Sequence, residues 1–313
     1  MQEVLQAIEK AKKIAVLPHI SIDGDCLGSA EALRLLLLQM GKTVTLFVDK
    51  KPPAYLGFLT QEYTVYASQD ETFDTVIAVD CGDLGRLGTR ADLINGAFTI
   101  CLDHHKTNSG FADVNFVRPN YAATAEIIYE LYQAAGQPIC AAAATALYTG
   151  IFTDTGRFCN SNTTSQSMRY GANLLDLGAN AGKIATEIYD TQSLGRLKLM
   201  ARALSGLTLH HGGRLAVIAV TRADFDACGA TDDDTEGFAA LSRSIAGVEV
   251  GVFIKENAEG IIKCSLRSKN YADVSAVCER FGGGGHLRAS GCTFLSSVDD
   301  AKEKLVSAIG EIL

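Results

Sequence analysis

The sequence predicts an α/β protein with two domains. Residues 1 to 187 alternate short apolar runs with amphipathic segments, which is the pattern of a parallel sheet covered by helices on both faces. After about residue 208 the pattern changes to longer strand candidates, which indicate a second sheet. We therefore predict a first domain at 1–187, a helical linker at 188–208 and a smaller second domain at 209–313.

The predicted elements follow from the spacing of apolar residues and from the positions of glycines. In the first domain, buried strands are predicted at 14–18, 43–48, 75–79 and 98–102. Covering helices, most of them followed by a glycine that ends the helix, are predicted at 28–40, 123–135, 141–151 and 164–177. In the second domain we predict strands at 215–221, 248–256 and 260–267 and helices at 273–281 and 298–312.

Composition narrows the class of protein. With 28 basic and 36 acidic residues the net charge is -8, which argues against a protein that coats long nucleic acid. No stretch approaches the roughly 18 apolar residues of a membrane helix. Nine cysteines without a C-x-x-C pair, and a start at residues 1–20 that lacks signal-peptide features, lead us to expect a cytoplasmic protein.

Acidic and imidazole side chains follow several apolar runs that are interpreted as strands. They are His19 after 14–18, Asp80 after 75–79, the triplet Asp103, His104 and His105 after 96–101, and Asp154 after 147–153. In an open parallel sheet, ligands bind outside the carboxyl ends of the strands, so these side chains converge if their strands are neighbours. The pattern predicts one metal or phosphate site.

Two further carboxylates, Asp23 and Asp25, follow His19 in a predicted loop that precedes the helix at 28–40. Carboxylates mixed with imidazoles favour a catalytic divalent ion such as Mn²⁺ over a structural zinc. Crowded aspartates repel one another, and two divalent cations remove that conflict. Two such ions about 3.5 to 4 Å apart activate a hydroxide and stabilise phosphoryl oxygens. The residues therefore point to phosphoester hydrolysis.

Simpler interpretations compete with this one. A single aspartate after a strand usually caps a helix or forms a turn, and a single buried histidine is often structural. The adjacent His104 and His105 point in different directions, however, and both need partners. Three other groups have simpler explanations. Small side chains that are buried explain Cys26, Cys81 and Cys101, and a hairpin turn explains His210–His211. A solvated acidic segment explains Asp232, Asp233, Asp234 and Glu236.

A glycine run at 282–285 precedes His286. Glycines are costly to order, so something must approach this backbone closely, although an ordinary flexible turn is the alternative. Loop N–H groups and nearby cations would suit an anionic phosphate. The candidate binding residues are Arg267, Ser268, Gly283, Gly284, Gly285, His286 and Arg288.

Taken together, the motifs resemble those of the DHH phosphoesterases that carry a C-terminal DHHA1 domain, and the resemblance covers nearly the whole chain. The matching segments, in chain order, are His19–Asp25, Val79–Asp83, Asp103–His105, Thr153–Phe158, Ser265–Ser268 and Gly282–His286. The implied fold is a parallel-sheet DHH domain, a smaller DHHA1 domain with a mixed sheet, and a cleft between them.

The resemblance also implies roles for the site residues. One Mn²⁺ would be held by His19, Asp23 and Asp80, and a second by Asp25, Asp80, His104 and Asp154, with Mg²⁺ or Co²⁺ as alternative ions. A metal-bridging hydroxide would attack phosphorus, His105 would contact the phosphate, and Asp103 would orient its neighbours. The candidate residues of the second domain would bind the far phosphate or base of the substrate.

Within the family, the chain lacks the extra domains of the long-DNA exonucleases and the membrane helices of some cyclic-dinucleotide enzymes. It is similar to the compact members that degrade very short RNA, of roughly two to four nucleotides, and 3'-phosphoadenosine 5'-phosphate (pAp). Short RNA or DNA oligonucleotides or a nucleotide bisphosphate are thus the expected substrates. Cyclic dinucleotides or their linear products, a non-catalytic nucleotide sensor, and a homodimer are left open.

Overall fold

The computed structural model describes residues 1–67, 71–235 and 237–313, so Glu236 of the predicted acidic segment lies outside the described residues. The chain divides into two compact units, unit 1 (Met1–Thr191) and unit 2 (Gln192–Leu313). The boundary falls inside the predicted linker at 188–208. The prediction of an α/β fold, with a parallel sheet first and a mixed sheet second, is confirmed.

Unit 1 is built on a six-stranded sheet in which every pairing is parallel. Its strands are β1 (Lys13–Pro18), β2 (Thr43–Val48), β3 (Thr64–Val65), β4 (Thr75–Val79), β5 (Phe98–Asp103) and β6 (Val114–Val117). They lie in the order β3-β2-β1-β4-β5-β6. The four predicted strands are confirmed, whereas β3 and β6 were not predicted.

The helices of unit 1 cover this sheet, and its apolar residues form two buried clusters. They are α1 (Gln2–Lys10), α2 (Gly24–Gln39), α3 (Thr124–Ala134), α4 (Ala141–Asp154), α5 (Ser165–Asp176) and the short α6 (Ala181–Ala185). Irregular helical turns occupy 54–56, 84–94 and 186–190. Within the described part of the chain, no helix has the length and hydropathy needed to cross a bilayer.

Two sequence predictions in this unit were wrong. The predicted loop before residue 28 is already helical from Gly24, because the side chain of Asp23 accepts the N–H of Cys26 at 3.0 Å and caps α2. The run at 147–153 was treated as a strand in the site pattern although a helix was predicted at 141–151; the helix is correct, and the run is the interior of α4, which ends at Asp154. A helix that is buried on most of its surface is apolar all round, so its sequence resembles that of a buried strand.

Helices α2 and α4 approach each other closely at glycines. A Cβ atom on Gly24 would lie 2.4 Å from Oγ1 of Thr153, and one on Gly28 would lie 2.4 Å from the carbonyl oxygen of Ala146. Any side chain at these positions would push the helices apart. The glycines therefore let the start of α2 and the end of α4 meet beside the sheet.

Unit 2 contains a second six-stranded sheet, in which β8–β9 is the parallel pair and the other pairs are antiparallel. The strands are β7 (Thr208–His210), β8 (Leu215–Val220), β9 (Val250–Glu256), β10 (Ile262–Ser268), β11 (Gly284–His286) and β12 (Ala289–Phe294), in the order β11-β12-β10-β9-β8-β7. The helices are α7 (Leu194–Ser205), α8 (Arg222–Cys228), α9 (Phe238–Arg243), α10 (Val274–Glu279) and α11 (Val298–Gly310).

The glycine run was expected to form a binding loop, but its end is a strand. Gly284, Gly285 and His286 form strand β11, the outermost strand of the sheet. Glycine is required here by close packing, because a Cβ atom on Gly283 would lie 2.2 Å from the carbonyl oxygen of Gly291. The predicted hairpin turn at His210–His211 is confirmed by the antiparallel pair β7–β8.

Candidate metal centre

The candidate site lies where the strand order of unit 1 changes direction. The chain passes from β1 to β2 on one side and later adds β4 on the other side of β1, which leaves a crevice at the carboxyl ends of these two strands. His19 follows β1 and Asp80 follows β4, and Nε2 of His19 lies 3.5 Å from Oδ2 of Asp80. Both side chains are buried.

Asp80 is at the centre of the cluster. Its φ is 58°, a left-handed conformation that costs a non-glycine residue about 1 kcal/mol. Its Oδ1 lies 3.6 Å from Nε2 of His104 and 3.5 Å from Nδ1 of His105, on the other side from His19. The hydroxyl of Thr124 donates to the same Oδ1 at 2.9 Å. The carboxylate therefore faces histidines on both of its oxygens.

Helix α2 contributes two carboxylates with different surroundings. Oδ1 of Asp23 caps the helix, and its Oδ2 lies 3.4 Å from Nε2 of His19. Asp25 is buried in the first turn, where it accepts hydrogen bonds from Ser29 Oγ at 3.0 Å and from the backbone N–H groups of Thr124 and Ala125 at 2.7 and 3.0 Å. Asp23 thus combines the structural role expected of a lone aspartate with a place in the site.

His104 is oriented by a backbone carbonyl. Its Nδ1 lies 3.2 Å from the carbonyl oxygen of Tyr121, a contact in which Nδ1 donates. Nε2 then faces the carboxylates, 3.6 Å from Asp80 and 3.4 Å from Asp154. Because Nδ1 donates to a backbone carbonyl, Nε2 is the ring nitrogen left to bind a metal ion, and this is the usual arrangement of a histidine ligand.

The second histidine of the triplet is held by an aspartate. Asp103, which is fully buried, accepts Nδ1 of His105 at 2.7 Å with Oδ1 and the side-chain amide of Asn108 at 2.7 Å with Oδ2. Burial opposes the charge of Asp103, but these hydrogen bonds lower its pKa. The hydrogen bond from His105 to Asp103 raises the pKa of the imidazole to about 9.

The crowding of carboxylates shifts the pKa values of two of them. Burial, followed by the charges of Asp80 and Asp154, raises the pKa of Asp25 well above its usual range. Burial, followed by the charges of Asp80 and Asp23, raises the pKa of Asp154 to about 8. Each carboxylate thus carries an electrostatic cost that a bound cation would remove.

The residues present fit divalent metal ions. Three overlapping groups have ligand atoms within 4.8 Å of one another: His19 with Cys26 and Asp80; Asp80 with His104 and His105; and Asp25 with His104 and Asp154. In addition, Nδ1 of His19 is buried without a hydrogen-bond partner in the described chain. Oxygen and imidazole donors in overlapping groups suit a catalytic divalent ion.

The three cysteines beside the motifs are buried, as predicted. Cys81 and Cys101 lie in or near the apolar core, and burial raises the pKa of both thiols. Cys26 belongs to one of the candidate ligand groups, but burial raises its pKa to about 11, so it is a poor thiolate at neutral pH.

Unit 2 carries the predicted substrate-binding residues around β10, β11 and the turn to β12. Nη1 of Arg288 donates to the carbonyl oxygen of Ala272 at 2.8 Å. Nη1 of Arg267 donates to the carbonyl oxygen of Leu266, its neighbour in β10. Oγ of Ser268 is buried without a hydrogen-bond partner in the described chain. Gly284, Gly285 and His286 are exposed on β11, and Gly283 is partly buried before it.

Sequence reasoning missed several residues that support the site. Thr124, Tyr121 and Asn108 contact Asp80, His104 and Asp103, respectively. Asn162 donates to the carbonyl oxygens of both Ala122 and Asp154, at 3.2 and 3.1 Å. None of these residues comes directly after a predicted strand or forms a local motif, so the sequence contains no signal that would connect them to the site.

The comparisons with known proteins agree with this geometry. The sequence model of the DHH family, N-terminal domain, matches residues 13–151, and that of the DHHA1 domain matches residues 214–313. The chain belongs to the DHH family of phosphoesterases, in the branch that carries a DHHA1 domain. Enzymes of this family hydrolyse phosphoester bonds and depend on metal ions.

Among its relatives is the bifunctional oligoribonuclease and PAP phosphatase NrnA of Thermus thermophilus, which is 34% identical over 315 residues, covering 99% of this chain and 93% of that protein. The protein of the same name from Bacillus subtilis is 26% identical and covers 94% of this chain and 93% of its own. The crystal structure of an exopolyphosphatase-related protein from Bacteroides fragilis superposes with a TM-score of 0.93 at 27% identity, covering 99% of this chain and 95% of that one.

Proposed function

We propose that this phosphoesterase uses two Mn²⁺ ions to hydrolyse very short oligonucleotides and pAp in the cytoplasm. The observation that carries the proposal is Asp80, a buried carboxylate in a left-handed conformation with a histidine near each oxygen. Such backbone strain concentrates at functional sites. The substrates follow from the activities for which NrnA of Thermus thermophilus and Bacillus subtilis are named.

In this proposal each ion has a defined set of ligands. His19, Asp23 and Asp80 would hold one ion, and Asp25, Asp80, His104 and Asp154 the other, so that Asp80 would belong to both sets. Support comes from the distances of 3.4 to 3.6 Å that join His19 and His104 to these carboxylates. When bound, the ions would supply an activated hydroxide and charge stabilisation on the phosphoryl oxygens.

The other residues of unit 1 would position and stabilise the phosphate. The hydrogen bond to Asp103 raises the pKa of the His105 imidazole, and a ring held in this way would donate its other nitrogen to a phosphate oxygen. Asp103 would hold that ring in one orientation, since it accepts from both the Nδ1 and the backbone N–H of His105. We propose that His105 contacts the scissile phosphate and that Asp103 positions it.

In unit 2 we propose that the substrate's far phosphate or base binds along β10 and β11. Arg267 and Arg288 supply cationic groups, and the hydroxyl of Ser268 is a buried group that lacks a hydrogen-bond partner in the described chain. Strand β11 is at the edge of the sheet, and no other strand of the described residues pairs with its outer side. Gly283, Gly284, Gly285 and His286 would complete this substrate-binding surface.

The test is a metal-titrated hydrolysis assay. Protein stripped with a chelator is expected to be inactive on 5'-labelled di- to pentanucleotides and on pAp, and to recover activity with Mn²⁺ and, to a lesser extent, with Mg²⁺ or Co²⁺. Asp80→Asn is expected to lose most activity, because asparagine tolerates the left-handed backbone but is a poor bridging ligand. Asp113→Asn is the control, since Asp113 lies in the 104–113 connection and binds Thr99.

The results of this assay distinguish a two-ion hydrolase from a nucleotide sensor. Turnover of short RNA and pAp by the wild type, with loss in Asp80→Asn alone, supports the proposal. Full activity of Asp80→Asn would refute the two-ion scheme. An absence of turnover on every one of these substrates with Mn²⁺ would refute the hydrolytic function and favour a nucleotide sensor.

A further inference from the structure

One short segment, Tyr121–Ala125, contacts much of the candidate metal centre. The carbonyl of Tyr121 orients His104, and Asn162 joins the carbonyl of Ala122 to that of Asp154. The backbone N–H groups of Thr124 and Ala125 donate to Asp25 at 2.7 and 3.0 Å. This segment comes from the connection between β6 and α3, which neither follows β1 or β4 nor belongs to any motif identified in the sequence.

The first turn of α3 is capped by the candidate metal centre and not by its own residues. Its N-cap residue is Ala123, which has no side chain able to accept a helix N–H, so Asp25 of α2 accepts the N–H groups of the first turn instead. A threonine as the first helical residue usually exposes its hydroxyl to solvent or bonds it to its own helix. Here Thr124 is fully buried, and its hydroxyl donates to Oδ1 of Asp80 at 2.9 Å.

This hydroxyl is the neutral donor on a carboxylate whose other close contacts are imidazoles. The hydrogen bond occupies one lone pair of Oδ1 and so restricts rotation of the carboxylate about its Cβ–Cγ bond. Oδ2 is then directed toward His19, at 3.5 Å, while the remaining lone pair of Oδ1 is available on the side of His104. Metal binding by a carboxylate that serves two ions depends more on its orientation than binding by a carboxylate that serves one ion.

We propose that Thr124 is a positioning residue that sets the carboxylate plane of Asp80 and thereby the metal affinity of the site, an inference that rests on the proposed metal-dependent function. The hydroxyl acts through Asp80 and does not itself touch metal or substrate. Because Thr124 also donates its N–H to Asp25, one residue contacts both the carboxylate assigned to the two ions and a second carboxylate assigned to one of them.

The test compares variants that keep or remove the hydroxyl. Thr124→Val preserves shape and the backbone N–H but removes the donor, whereas Thr124→Ser keeps the donor. Thr149→Val is the matched control, because Thr149 is equally buried in unit 1 but its hydroxyl donates to the carbonyl of Thr145. Mn²⁺ affinity is measured by calorimetry on chelator-treated protein, with kcat, KM and the thermal midpoint measured in parallel.

We expect Thr124→Val to weaken Mn²⁺ binding by about 10- to 100-fold, the usual effect of losing an outer hydrogen bond to a ligand. Thr124→Ser and Thr149→Val should bind as the wild type does. Unchanged Mn²⁺ affinity in Thr124→Val, or an equal loss in Thr149→Val, would overturn the inference. If Thr124→Val fails to fold, Thr124→Ala and Thr124→Ser decide it by the same affinity difference. Failure of the wild type to bind Mn²⁺ would instead refute the proposed function itself.

Discussion

Asp103 accepts a 2.7 Å hydrogen bond from Nδ1 of His105, its neighbour two residues along the chain. The same carboxylate accepts the amide of Asn108, which also donates to the carbonyl of Cys81, the residue after Asp80. Asp103 and His105 are therefore joined by a hydrogen bond, and Asn108 connects this pair to the loop that follows β4. His104 between them is oriented separately, by Tyr121.

The hydrogen bond between Asp103 and His105 predicts the effect of Asp103→Asn. Asparagine keeps the volume but loses the charged acceptor that holds the ring of His105, so kcat should fall by about 10- to 100-fold. Mn²⁺ affinity should change less, because His104 and Asp80 keep their own contacts. Steady-state kinetics and calorimetry on the same preparation measure both. A variant with wild-type kcat would contradict the role of Asp103 as the support of His105.

Close packing of α2, α3 and α4 predicts the effect of Gly150→Ala. The added Cβ would lie 2.7 Å from Oδ1 of Asp25 and 2.7 Å from Cβ of Ala125. Such overpacking typically costs about 1–3 kcal/mol in the free energy of unfolding, and the displaced Asp25 should also bind Mn²⁺ more weakly. Chemical denaturation and calorimetry measure the two effects. Gly182→Ala is the control, because its nearest atom to the new Cβ would be 3.5 Å away.

His286 at the end of β11 is predicted to act in binding. His286→Ala should raise KM for a dinucleotide while leaving kcat at saturation nearly unchanged, because the proposed contact is with a remote part of the substrate. His210→Ala, at the end of β7 in the same unit, should leave both constants unchanged. If His286→Ala lost kcat at constant KM, the residue would have to act in the chemical step.

Glu249 predicts a pH-dependent contribution to the stability of unit 2. Its carboxylate accepts the backbone N–H groups of Asn270, Tyr271 and Ala272 at 2.8, 2.8 and 3.0 Å. Burial opposes its charged form, but these hydrogen bonds prevail and lower its pKa below the ordinary value of 4.5. The folded state therefore releases this proton more readily than the unfolded state, so the stabilisation is present above about pH 4.5 and is lost as pH falls through the folded pKa.

Glu249→Gln should accordingly lower the free energy of unfolding by about 2 kcal/mol at pH 7, with a smaller difference from the wild type at pH 3.5 to 4. Urea denaturation at several pH values measures this. Glu279→Gln, an exposed position on α10, should show no such pH dependence. A difference between Glu249→Gln and the wild type that stayed constant with pH would show that the charge of Glu249 is not the stabilising feature.

Part of the site was predictable because its signals are local. His19 and Asp80 follow apolar runs that are real neighbouring strands, and parallel strands present their carboxyl ends at one edge of the sheet. Asp154 was grouped with residues that follow strands although a helix was predicted at 141–151, and in the structure it ends that helix. The residue type was informative even though the element was misread, because a carboxylate at the end of an apolar run marks the edge of the core in either case.

The sequence by itself determined the fold class, the strands that carry His19 and Asp80, and the residue types that can hold a divalent metal ion, since each depends on periodicity or on neighbours in the chain. Only the tertiary structure decided which groups orient those ligands. The N–H of Thr124 meets Asp25 across 99 residues, and glycines bring α2 against α4. Such contacts depend on how helices pack, and a sequence contains no periodic signal for the distance between two helices.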